Sequence, residues 1–159
     1  FIAGCTHVSE VMADPVLSRL VRRHLSAAAG TLPQLAGVDF DQYADALVAR
    51  FSNPHLRHQT YQIAMDGTEK LPQRILAPAV DAQAAGQPLA PFALAVAAWM
   101  RYVLGKTDTG VPYAIVANLV ALPGFFPSVL AKDSRFLQMV SARLGIMLDH
   151  GMRRALDAE

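Results

Sequence analysis

Between Phe51 and Arg74 the chain reads FSNPHLRHQTYQIAMDGTEKLPQR, the densest polar stretch in an otherwise apolar, alanine-rich sequence. It holds Arg57, Lys70 and Arg74, the histidines His55 and His58, an Asn-Pro turn and an Asp66-Gly67 break. Lys70 and Arg74 stand four apart, so on a helix they share one face. Lys70 also falls near a helix start, where the backbone dipole disfavours a cation unless an anion is present. That pattern points to an anion site, and a link to Asp66 or Glu69, or a solvated face, accounts for it as well. The histidines, three apart, are a weak ligand pair for a metal; a surface imidazole beside a capping or hydrogen-bonding one explains them more simply. As a whole the stretch reads as the polar wall of a cleft, without naming a reaction.

The other residue with chemical promise is Arg101, the single charge in the 15-residue apolar run from Ala90 to Leu104. A guanidinium on a core helix must be paired or hydrogen-bonded, because an uncompensated buried charge is very costly. Two arrangements meet that demand. An internal carboxylate such as Asp66 pairs with it while its stem lies on apolar surface. Alternatively, it is a forked donor at a cleft floor, binding hydroxyls or a carboxylate of a substrate. Cys5 near His7 is a poor nucleophilic dyad and reads as an inert thiol. The chain has no GxGxxG or Walker-type loop, hence no cradle of its own for nucleotide phosphates, and no Cys/His spacing suited to zinc.

The elements that must position these groups are helices. Thr6 is placed to cap a short segment through Met12. Asp14-Pro15 opens a stronger one, with Val16, Leu17, Leu20, Val21 and Leu25 on one stripe and Gly30 and Pro33 at its end. Asp39 or Asp41 caps the next, where Tyr43, Leu47 and Phe51 recur every four residues, and Ser52-Asn53-Pro54 stops it. Leu56 to Met65 is helical by pattern. Asp66-Gly67 breaks it, and another helix starts near Leu71, with Pro72 in a first turn that needs no amide donor, and runs to about Ala85. Ala90 to Leu104 is too short to span a bilayer and too apolar for a surface helix, which makes it the central core helix. Val116 to Leu122 is a short apolar run ending at Pro123-Gly124. Ser128 and Asp133 have cap chemistry, and Phe136, Met139, Val140, Leu144, Met147 and Leu148 mark an amphipathic C-terminal helix to about Leu156. With no alternating strands and no repeats, the fold class is all-α, a single domain over 1–159.

Hydrophobic residues form 53% and charged ones 17%, against about 45–50% and about 25% in typical domains. The excess fits either apolar surface covered by another domain or subunit, or an Ala-rich helical core. A formal charge of +1 with scattered Lys and Arg gives no electrostatic footprint for nucleic acid. One cysteine excludes an internal disulfide and fits a reducing cytoplasm. No run of about 18 apolar residues occurs, so no membrane partner is expected.

The stretch FSNPHLRHQTYQIAMDGTEKLPQR, with AWMRYVLGKTDTG from Ala98 to Gly110 and the opening FIAGCTHVSEVMADP, resembles the C-terminal domain of the long-chain mannitol dehydrogenase and fructuronate reductase family. The LRHQT and DGTEKLPQR wording is closer to the fructuronate reductase side, that is, to D-mannonate oxidoreductase-like members. The resemblance implies a metal-free oxidoreductase using NAD or NADP on a polyol or sugar acid. It also implies an N-terminal Rossmann domain joined to an all-α domain of the type seen in 6-phosphogluconate dehydrogenase. The family's catalytic Lys-x4-Asn-x2-His motif would end a few residues before Phe1, so no catalytic residue is assigned here and the chain alone would bind no cofactor and be inactive. Phe1-Ile2-Ala3-Gly4, lacking a methionine, is expected to be the end of an interrupted helix in a fragment. After Ile115 the family usually continues through an Asp-Pro segment, so residues are expected to be missing between Ile115 and Val116. Arg101 matches the arginine of the Trp-x-Arg-Tyr motif, which lines the substrate pocket in mannitol dehydrogenases. The resulting substrate-binding set is Arg101, Lys106, Lys70 and Arg74. Two alternatives stand beside this reading, a mannitol or arabinitol 2-dehydrogenase domain and a non-enzymatic helical interaction module.

Overall fold

The long apolar helix does form the centre. In a computed structural model, which describes residues 1–108, 110 and 125–157, Ala90–Tyr102 packs along the C-terminal helix Ser134–Asp157. In chain order the helices are α1 (Val8–Ala13), α2 (Pro15–Ala29), α3 (Phe40–Phe51), α4 (Thr60–Met65), α5 (Gly67–Leu71), α6 (Ala77–Ala84), α7 (Ala90–Tyr102), α8 (Ser128–Ala131) and α9 (Ser134–Asp157), with a π-helical turn, Pro72–Leu76, between α5 and α6. Among the described residues there is no strand, and the all-α class holds. The core gathers on α7, where Phe92, Ala93, Leu94, Val96 and Ala97 are buried. Phe136, Val140 and Met147 face them from α9, and Leu76, Ala79, Ala82 and Leu130 close the other side. Each such large side chain contributes roughly 1.5–3 kcal/mol by leaving water.

Local signals explain most boundaries. Asp14 accepts hydrogen bonds from Val16 N (2.9 Å) and Leu17 N (3.1 Å) with Pro15 at the first helical position. Asp39, rather than Asp41, does the same for α3, and Asp133 for α9.

Other expectations give way. The first cap is His7, not Thr6, because the Glu10 carboxylate reaches back to the amides of both Thr6 (2.6 Å) and His7 (3.3 Å). Ser128 lies inside α8 behind Pro127 and caps nothing. On α3 the buried residue is Val48 while Tyr43 stays 66% exposed, since α3 meets α1 and α2 on the Val48 side. The break at Asp66 is one residue long, and α5 starts at Gly67, not near Leu71. Pro72 therefore follows a helical turn instead of opening one. Its missing amide and the clash of its ring with the preceding turn are relieved by widening to a π-helical turn. α9 reaches Asp157 but breaks at Gly151 (φ 84°, ψ 164°), a conformation open to glycine and strained for other residues. The Val116–Leu122 run and the expected gap after Ile115 lie outside the described residues.

Candidate functional site

Arg101 stands in the last turn of α7, its side chain 8% exposed. Just beyond the helix Gly105, at φ 70°, turns the chain back so that residues 106–108 pass over the guanidinium. Nη1 donates to the Lys106 carbonyl at 2.6 Å and Nη2 to Asp108 Oδ1 at 2.7 Å. The carboxylate that balances this buried charge is Asp108, not Asp66. The other oxygen of Asp108 accepts the backbone N–H of Met152 at 2.6 Å, at the Gly151 break of α9. One carboxylate thus ties the end of α7, its following loop and the C-terminal segment of α9. Breaking such a pair from one side costs about 3–5 kcal/mol, because a buried charge is left alone.

The other expected site residues are disposed differently. Lys70 Nζ lies 2.7 Å from Asp66 Oδ2, with side chains 44% and 57% exposed, so the carboxylate at the α4–α5 junction answers the hint of an anion. Such a surface pair stabilises by about 0–1 kcal/mol. Arg74 is exposed and lies inside the π-helical turn Pro72–Leu76, whose wider winding shifts the four-residue register that would have placed it on one face with Lys70. Lys106 is exposed; only its carbonyl meets Arg101. Of the four cations, then, the structure brings Arg101 and Lys106 together through the backbone.

The opening segment and the Phe51–Arg74 stretch are joined directly. Buried Thr60 donates its hydroxyl to the Cys5 carbonyl at 2.7 Å, and its amide to the Thr6 carbonyl at 2.9 Å. Val8 N reaches the His58 carbonyl at 3.0 Å, and His7 pairs with Gln59 in an isolated antiparallel bridge. Burial pushes the nearby Cys5 thiol up from its ordinary value, which keeps it protonated and unreactive. His55 and His58 are exposed, with the His55 amide bonded to Asn53 Oδ1 at 3.0 Å.

A cavity of about 470 Å³ opens between α2, α5 and α7, walled by Leu17, Leu20, Leu94, Trp99 and Tyr102, with Met152 from α9. Its polar groups are sparse. His24 lines it, and burial holds that imidazole below its usual value despite the opposing bond to the Pro91 carbonyl. Burial likewise raises the Tyr102 phenol. Arg101, Lys106, Lys70 and Arg74 are not among its walls, so the cations and the cavity are separate features of the domain. Sequence reasoning missed Asp108 and Gly151. The signal for the second was weak, one of two glycines, Gly145 and Gly151, inside the long amphipathic pattern of the last helix.

The fold and the site define an all-helical domain built on one apolar helix, with a neutralised arginine at its end. The model of the mannitol dehydrogenase C-terminal domain matches residues 1–135, and the chain belongs to that family. It is 34% identical over 174 residues to Escherichia coli D-mannonate oxidoreductase, covering 94% of this chain and 36% of that protein. It is 44% identical over 110 residues to the uncharacterized Escherichia coli oxidoreductase YeiQ, covering 69% of this chain and 22% of that one. Pseudomonas fluorescens mannitol 2-dehydrogenase, solved as a ternary complex with NAD and D-mannitol, superposes with a TM-score of 0.87 at 26% identity, over 98% of this chain and 35% of its own. The chain therefore spans only about a third of the length of such relatives. The 174 aligned positions exceed the 159 residues present, so D-mannonate oxidoreductase carries residues without a counterpart here.

Proposed function

We propose that this chain is the substrate-side helical domain of an NAD(P)-dependent oxidoreductase that interconverts a polyol or sugar acid and its keto form, similar to a D-mannonate oxidoreductase. The observation that carries this is the 34% identity to D-mannonate oxidoreductase over 94% of this chain, on a fold shared with a dehydrogenase solved with NAD and D-mannitol. A dinucleotide-binding domain elsewhere in the polypeptide would bind the cofactor, whose nicotinamide supplies hydride transfer. The proton-transfer groups would also lie outside these residues, and the enzyme would work in the cytoplasm. Among the described residues no helix is long and apolar enough to cross a membrane.

The contribution of this chain is orientation. Arg101, fixed at the end of α7, presents N–H donors to substrate oxygens, and exposed Arg74 and Lys106 are the cations left to attract a carboxylate. One observation favours the second reading, a mannitol-type 2-dehydrogenase. Arg101 and Lys70 are each already paired with an aspartate, an arrangement better suited to neutral hydroxyls than to a sugar acid. Turnover by the intact enzyme separates the readings. NAD(P)H oxidation with a keto-sugar acid but not with a neutral ketose supports the first, and the reverse supports the second. Turnover of neither would remove the oxidoreductase reading and leave a helical interaction module.

A further inference from the structure

We infer that Asp108 is the positioning residue for Arg101, and that the Gly151 break exists to seat it. This rests on the reading of Arg101 as a substrate contact. The Asp108 carboxylate works in two directions, holding Arg101 Nη2 through Oδ1 at 2.7 Å and the Met152 amide through Oδ2 at 2.6 Å. That amide is turned toward it because Gly151, at φ 84° and ψ 164°, leaves helical geometry. Gly151 also provides the space. A Cβ on it would lie 2.9 Å from Asp108 Oδ2, closer than side-chain atoms sit to a Cβ, and a tight 3.3 Å from Asp108 Cγ.

The consequence falls on the guanidinium. Nη1 is held by the Lys106 carbonyl and Nη2 by Asp108, so the loop grips the fork at both ends and fixes its plane. A guanidinium carries five N–H donors, and those not turned toward the loop keep a set direction toward substrate oxygens. Asp108 itself touches no substrate in this scheme. It acts through Arg101, and the last segment of α9, including buried Met152 and Leu156, acts through Asp108. Nothing in the spacing of Arg101 and Gly151, fifty residues apart, announces this link.

The test uses the intact oxidoreductase and three variants, Arg101→Ala, Asp108→Asn and the double variant, with methylguanidinium as the rescuing probe. Arg101→Ala is expected to raise KM roughly tenfold or more, the scale of a lost charged hydrogen bond. Asp108→Asn is expected to raise KM several-fold with kcat nearly kept, and the double variant to be no worse than Arg101→Ala alone. Added methylguanidinium should restore Arg101→Ala but not the double variant, since the carboxylate that would hold the free cation is gone. Losses that multiply in the double variant, or equal rescue with and without the carboxylate, would overturn the inference while leaving Arg101 as a substrate contact. Unchanged kinetics in Arg101→Ala would overturn the substrate role itself, and the positioning role with it. If Asp108→Asn does not fold, Gly151→Ala displaces the same oxygen from outside the loop, and an unchanged KM in that variant would overturn the inference as well.

Discussion

Gly151 and Asp108 fit each other so closely that one methyl group would part them. A Cβ on Gly151 would lie 2.9 Å from Oδ2 of Asp108, at a backbone φ of 84°. Gly151→Ala should therefore lose both ways, through backbone strain of about 1–3 kcal/mol in a conformation kept almost wholly for glycine and a displaced hydrogen bond of about 1–3 kcal/mol. Thermal unfolding followed by circular dichroism should show the midpoint falling by roughly 5–15 °C. Gly145, in the same helix with nothing within 4 Å of its absent Cβ, is the control. Gly145→Ala should be neutral or stabilising by about 0.5–1 kcal/mol. Equal melting of the two variants would show that the break at Gly151 is not held in place by Asp108.

Thr60 pins the opening segment to the start of α4 through its hydroxyl, at 2.7 Å from the Cys5 carbonyl and 3.2 Å from that of Thr6. Thr60→Val keeps the shape and removes the donor. A loss of about 1–2 kcal/mol is expected in urea unfolding, with Thr60→Ser closer to the parent. An undiminished midpoint in Thr60→Val would mean that the Gln59–His7 bridge and the backbone bonds suffice to hold the two segments.

His24 makes stability depend on pH below the ordinary imidazole value. Burial lowers its pKa in the folded state, while the unfolded imidazole stays near about 6.5. Between those two values the unfolded chain binds more protons, so stability rises with pH there. It is therefore fully present above about pH 6.5 and declines as the solution is acidified below it. Melting midpoints from pH 7.5 to 5 should fall in the parent and flatten in His24→Gln. Identical slopes would place the proton uptake elsewhere.

The caps Asp14 and Asp133 act lower on the scale. Backbone amides, those of Leu17 and Phe136 above all, hold both carboxyls below the usual carboxylate range. Their contribution is present above the unfolded value near pH 4 and lost as pH falls through the folded one. Asp14 also pairs with Arg153 from beyond the Gly151 break. Asp14→Asn should keep the cap and lose the pair, whereas Asp14→Ala should lose both and melt lower at neutral pH. An Asp14→Ala variant as stable as Asp14→Asn would show that the cap contributes nothing measurable.

What was legible in the sequence was local. Asp14-Pro15, Asp39 and Asp133 announce helix starts because capping joins a side chain to amides two or three residues ahead. The apolar run of α7 announces the core because burial follows composition over a few turns. The three stretches around Cys5, Thr60 and Arg101 were enough to place the family.

The tertiary structure decided the rest. That Arg101 had to be neutralised followed from its place on an apolar helix. That Asp108 does it, among 13 acidic residues, depended on a glycine turn that brings the loop back over α7. Val48 rather than Tyr43 faces inward because of where α1 and α2 lie, whereas the pairing of Lys70 with Asp66, four residues apart, is as local as the caps. Periodicity and caps act within one turn of a helix, and the chain encodes them in adjacent letters. The choice of an ion-pair partner depends on which groups packing leaves within hydrogen-bonding distance, and that is fixed only when the helices are assembled.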